Sequence, residues 1–108
     1  IAAAAELRNP GIQIDIRQVV YFPPQAFDPA LVELVRQGAA QAGLACGDVV
    51  SGAGHDAVYV ARTAPAAMIF IPCKDGISHN EIEDAQPAHV TAGANVLLHA
   101  MLARAGVA

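Results

Sequence analysis

The segment PCKDGISHNEIED, residues 72–84, sets one imidazole, His79, between Lys74-Asp75-Gly76 and the carboxylates Glu81, Glu83 and Asp84. Neutral imidazole is the commonest metal ligand, and a carboxylate beside it can orient the ring. Glu81 and Glu83 are the candidates for that orienting role. A catalytic zinc takes about three protein ligands. No partner set stands at a recognisable spacing: there is no His-x-Asp pair, no paired glutamates after a strand and no HExxH. On residue types alone His79 is either an ordinary polar loop residue or one ligand of a site completed by residues that this chain lacks.

A second stretch, SGAGHDA, carries His55 between Gly54 and Asp56. Gly52 and Gly54 let backbone amides come close to a ligand. Such a loop can hold an anion, either a substrate carboxylate or a developing oxyanion, and a tight structural turn is the equally open alternative. His89 and His99 are ten residues apart, nearly three turns at about 3.6 residues per turn, so they do not share one ion. They read as partly exposed helix residues. Cys73 has Lys74, Asp75 and His79 as neighbours that could activate a thiol. It also closes an apolar run, where a cysteine more often acts as a small hydrophobe, and that reading is preferred. Cys46 and Cys73 lack CxxC spacing. The glycine loop is not followed by GK[ST] and is not GxGxxG, so it is no phosphate loop.

Elements must position these groups. GIQIDIRQVVYF alternates, with Ile12, Ile14 and Ile16 on one face and Gln13, Asp15 and Arg17 on the other. Period two with β-branched residues predicts a half-buried strand, launched by an Asn9-Pro10-Gly11 turn and ended by Pro23-Pro24. DPALVELVRQGAAQAGL predicts a helix with Asp28 as N-cap, Pro29 at the first position and Gly43 at the stop. Leu31, Leu34, Val35 and Gly38 form its inward stripe. A short helix is expected between His55 and Arg62. AAMIFIPC predicts a strand buried on both faces. Pro87 to Ala105 predicts a helix with Val90, Leu97, Leu98 and Met101 near one face and Gly106 as its stop. The acidic stretch before it sits where a helix dipole favours negative charge. A helix between two strands makes the fold class α/β, with helices packed on a sheet. The change from an alternating strand to a continuous apolar one places a domain boundary at Pro23-Pro24.

The bulk numbers bound the rest. The 108 residues allow one ordinary domain at most, and a small one for an enzyme. A net charge of -4 argues against nucleic-acid binding. No apolar run approaches the roughly 18 residues that cross a bilayer. IAAAAELRNPG has no basic region ahead of its alanines and does not read as a signal peptide. The two sparse cysteines then read as free thiols in a reducing compartment, and the expected location is cytoplasmic. The first residue is Ile1 rather than methionine, which leads us to expect further residues upstream.

SGAGHDA and MIFIPCKDGISHNEIED, with His55 and His79 24 positions apart, and FDPALVELVRQGAAQAGL ahead of them, resemble the C-terminal part of the hydantoinase/carbamoylase amidohydrolases of the M20 metallopeptidase family. The resemblance covers essentially the whole chain. It implies the C-terminal part of an α/β catalytic domain over residues 23–108, preceded over residues 1–22 by the last strand of an inserted α+β lid that forms a homodimer. It implies two divalent metal ions, zinc or manganese, and hydrolysis of the C–N bond of an N-carbamoyl or ureido group. His79 corresponds to the last metal ligand, and Gly54 and His55 to groups that bind the substrate, with Asp56 as a weaker candidate that orients His55. The general base and the other ligands of the family belong upstream, so no catalytic residue is expected in this chain. The alternative of another class is a non-catalytic α/β module that stabilises, or dimerises with, a partner chain.

Overall fold

The computed structural model describes residues 11–106, so Asn9 and Pro10 of the expected turn lie outside the described residues. Three α-helices follow in order: α1, Pro29–Gln41; α2, Asp56–Val60; and α3, Pro87–Ala105. A 3-10 turn, Lys74–Gly76, separates α2 from α3. The Asp28 carboxylate accepts the Leu31 N–H at 2.9 Å and caps α1, with Pro29 in the first turn where no donor is needed. At the far end Gly43 turns left-handed, φ +67°. Its N–H reaches the Ala40 carbonyl at 3.0 Å, and the Leu44 N–H reaches Ala39 at 2.9 Å. This paired closure satisfies two carbonyls that the helix would otherwise leave open. Gly106, φ +80°, ends α3 in the expected place.

The core is the crossing of α1 and α3. Leu31, Leu34 and Val35 are half-buried and Gly38 is buried, as the stripe predicts. Gly38 lets the helices approach: a Cβ there would stand 2.9 Å from Cδ2 of His99. A Cβ on Gly93 would stand 2.6 Å from Cγ2 of Ile71, so α3 lies close on the apolar segment before the 3-10 turn. The face of α3 differs from expectation. Val96 is buried, and Ala92, Gly93, His99 and Ala100 are half-buried. Val90, Leu97, Leu98 and Met101 are exposed. A helix that is apolar nearly all round has no single face for its period to name, and the small residues win the contact because they permit the closer approach.

The expected sheet is the larger correction. Among the described residues no strand forms, either in GIQIDIRQVVYF or in AAMIFIPC. Of the alternating isoleucines, Ile14 is half-buried while Ile12 and Ile16 are exposed. Residues 66–69 are half-buried rather than buried, and Phe70 is exposed. A strand is defined by a neighbour that takes its ladder hydrogen bonds, and among the described residues no segment forms such a ladder with either run. The consequence is measurable over the whole molecule. The accessible area is 8711 Å², against about 5,700 Å² for a compact monomer of this mass. The radius of gyration is 19.7 Å, against about 13 Å for a compact domain of this length. No helix among the described residues is long and apolar enough to cross a membrane.

Candidate functional site

Two loops form the site, and each is fixed at its base. The first, residues 46–55, is tied to α1 through Arg36, whose guanidinium donates to Asp48 Oδ1 at 2.8 Å and to Glu33 Oε2 at 2.6 Å. The hydrogen bond from Arg36, then that from Gln37, holds the Glu33 carboxyl below the usual carboxylate range. The same contacts, Glu33 first and Asp48 next, raise the Arg36 guanidinium further. These groups face solvent, so the link is geometric more than energetic. The loop ends at His55, which has extended backbone and starts α2 by accepting the Val58 N–H at 3.0 Å.

The second loop, residues 73–84, is closed by the Lys74 N–H on the Asp84 carbonyl at 2.7 Å. Inside it the Glu83 carboxylate takes the His79 N–H at 2.9 Å and faces the Ser78 hydroxyl at 3.5 Å. Asn80 takes the Ile82 N–H on its side chain at 3.1 Å and the Glu83 N–H on its carbonyl at 3.0 Å. His79 itself is left-handed, φ +56°, a conformation that costs a non-glycine residue about 1–2 kcal/mol. The loop therefore holds His79 in a backbone state it would not choose.

The two loops meet at their histidines. The rings of His55 and His79 stand 6.1 Å apart, centre to centre, at 45°. Phe70 meets the His55 ring edge to face at 5.6 Å. On the other side Ser51 Oγ lies 3.0 Å from His55 Nε2 and accepts the Ala53 N–H at 3.2 Å. An open cleft of about 960 Å³ runs alongside, lined by Gly54, His55 and Phe70 and walled by Phe22, Pro23 and Tyr59. His79 is outside that lining, exposed, and its imidazole has no hydrogen bond among the described residues.

The structure thus brings Gly54, His55 and His79 together and leaves other candidates aside. Asp56 makes no bond to His55; Ser51 stands at that ring instead. Glu83, not Glu81, reaches His79, and at the backbone amide rather than the ring. Cys73 is half-buried, Cys46 is exposed, and both are free thiols. His89 and His99 are half-buried in α3, His99 as the residue facing Gly38. Sequence reasoning missed Ser51 and Phe70. Ser51 stands four residues before His55, a reach visible in the sequence once the loop is known to double back. Phe70 reads as core, and gives no such signal.

Residues 8–103 match Peptidase family M20/M25/M40. The chain belongs to this family. Similar curated relatives include the N-carbamoyl-L-amino-acid amidohydrolase of Rhizobium meliloti, 47% identical over 97 residues, and the allantoate amidohydrolase of Bacillus subtilis, 33% identical over 87 residues. These alignments take in 90% and 81% of this chain but 23% and 21% of the relatives. Among solved structures, a hydantoinase/carbamoylase family amidase from Burkholderia vietnamiensis superposes with a TM-score of 0.78 at 62% identity, over 82% of this chain and 22% of that one. The M20 assignment agrees with the resemblance carried by SGAGHDA and GISHN. The chain spans less than a quarter of the length of these relatives.

The donor set can be weighed in that light. Among the described residues no group of three His, Cys, Asp or Glu side chains is placed to hold a metal ion. A single exposed imidazole on a braced loop suits the role of one ligand among several.

Proposed function

We propose that this M20 chain is the C-terminal part of a metal-dependent amidohydrolase that splits the C–N bond of N-carbamoyl or ureido amino acids, releasing an amino acid, ammonia and carbon dioxide. The observation that carries the reading is the meeting of two loops 24 residues apart in sequence, which sets His55 6.1 Å from His79 beside a cleft lined by Gly54. His79 is one ligand of a pair of divalent ions, zinc or manganese, both of which suit histidine and carboxylate donors. Such a pair, when bound, lowers the pKa of water and polarises the scissile carbonyl. The backbone of Gly54 and the imidazole of His55 bind the substrate carboxylate or the oxygen on which charge develops. Residues 1–22 close an inserted lid and dimerisation domain, and residues 23–108 return to the catalytic domain. The extended apolar runs take up their ladder partners there, within a cytoplasmic homodimer.

The test is made on the whole polypeptide that carries this chain. His79→Ala is expected to lower metal content, and His55→Ala to lower turnover of N-carbamoyl substrates with metal retained. Full metal occupancy in His79→Ala would remove the ligand assignment.

A further inference from the structure

The loop around His55 fixes that ring from two sides and leaves one nitrogen open. Phe70 covers an edge at 5.6 Å, and Ser51 Oγ lies 3.0 Å from Nε2. His55 Nδ1 has no hydrogen-bond partner among the described residues. The Ala53 N–H, which can only donate, already occupies one lone pair of Ser51 Oγ at 3.2 Å. That contact leaves the hydroxyl its proton and one further lone pair, and His55 Nε2 is the ring atom within reach of it.

A neutral imidazole carries one proton, and the hydrogen bond made by one nitrogen sets the state of the other. A donor to Nε2 leaves the proton on Nδ1. A substrate carboxylate or developing oxyanion needs a donor, and a bare Nδ1 lone pair would repel it. We propose that Ser51 is a positioning residue: its hydroxyl donates to Nε2 of His55, holds the ring as the Nδ1–H tautomer and so makes Nδ1–H the donor that meets the anionic oxygen of the substrate. This deepens the function proposed above and rests on that reading for the identity of the oxygen. Ser51 touches no reacting atom in this arrangement and acts only through His55. The residue types support the role: Ser51, Gly52, Ala53 and Gly54 are small, so the chain can fold back over four positions and bring hydroxyl and ring together.

The experiment uses the whole polypeptide, labelled with 15N-histidine, as wild type, Ser51→Ala and Ser51→Thr. Two-bond and three-bond 1H–15N correlations assign the His55 tautomer, with His55→Gln identifying the signals. Wild type is expected to show an unprotonated Nε2 and a protonated Nδ1. Ser51→Ala is expected to shift the ring towards Nε2–H or a mixture, and to lower kcat on an N-carbamoyl amino acid about tenfold, the value of one hydrogen bond in the transition state. Ser51→Thr, which keeps the hydroxyl, is expected to restore most of both. A wild-type His55 protonated at Nε2, or a tautomer unchanged in Ser51→Ala, overturns the proposal. Wild type without activity on any ureido substrate overturns the proposed function instead, and the tautomer measurement still decides the role of Ser51.

Discussion

At the scale of single residues, the metal role proposed for His79 depends on a neighbour that meets its backbone rather than its ring. Glu83 accepts the His79 N–H and faces the Ser78 hydroxyl, and so holds His79 at a positive φ. Removing that carboxylate frees the backbone to relax and moves the imidazole. Glu83→Ala is therefore expected to weaken metal binding about tenfold, at the lower end of what orienting contacts contribute. Glu83→Gln, whose amide oxygen still accepts, is expected to lose less. Metal titration by calorimetry on the whole polypeptide checks both, and equal losses in the two variants would contradict the backbone role. The sequence offered Glu81 and Glu83 without distinction. Only the turn made by Asn80 selects Glu83, because it brings the carboxylate at position 83 back over residues 78 and 79.

At the scale of elements, the helix crossing and the loop anchor lead to separate expectations. Gly38→Ala places a methyl 2.9 Å from a His99 ring carbon. The gain in helix propensity, about 1 kcal/mol, is opposed by an overpacking cost of about 1–3 kcal/mol. The variant is expected to be destabilised, and His99→Ala added to it should recover part of the loss, as read by denaturant unfolding. Additive effects of the two changes would show that they do not touch. Arg36 is a different case, being exposed and ionic. Glu33 has a folded-state pKa below its unfolded one, so its stabilisation is present above the carboxylate range and fades as pH falls through the folded value. The difference in Tm between wild type and Arg36→Ala is thus expected to be small at neutral pH and to shrink as the pH falls through the carboxylate range and in high salt. A gap that persists in acid would mean that Arg36 acts through packing. Helix ends were legible because Asp28, Pro29, Gly43 and Gly106 act locally. The inward face of α3 was not, because nearly every position on it is apolar or small.

At the scale of the whole molecule, this chain exposes apolar surface that a folded domain would bury. Val19 and Val50 are 91% and 95% exposed, and only Ala39 and Val96 form a core of buried hydrophobic side chains among the described residues. On the proposed reading the rest of a longer polypeptide covers that surface. The 108 residues produced alone are then expected to bind a hydrophobic dye, to exchange backbone amides quickly and to hydrolyse no N-carbamoyl amino acid. Activity of the isolated chain that survives repurification would overturn the fragment reading. In the whole polypeptide, amides of residues 66–71 are expected to be protected from exchange, as ladder partners form.

The sequence by itself determined what short-range chemistry can determine. Caps and stops depend on residues within a few positions of one another, and the membership rests on motifs read directly along the chain, SGAGHDA and GISHN. The tertiary structure decided what depends on distance across the fold. It placed His55 against His79 and Phe70, chose Glu83 over Glu81 and Ser51 over Asp56, and turned Val96 inward in place of Leu97. It also left the predicted strands without a sheet. A strand's apolar pattern is local, but its hydrogen bonds belong to a neighbouring segment, and no amount of β-branched sequence can supply the other half of a ladder.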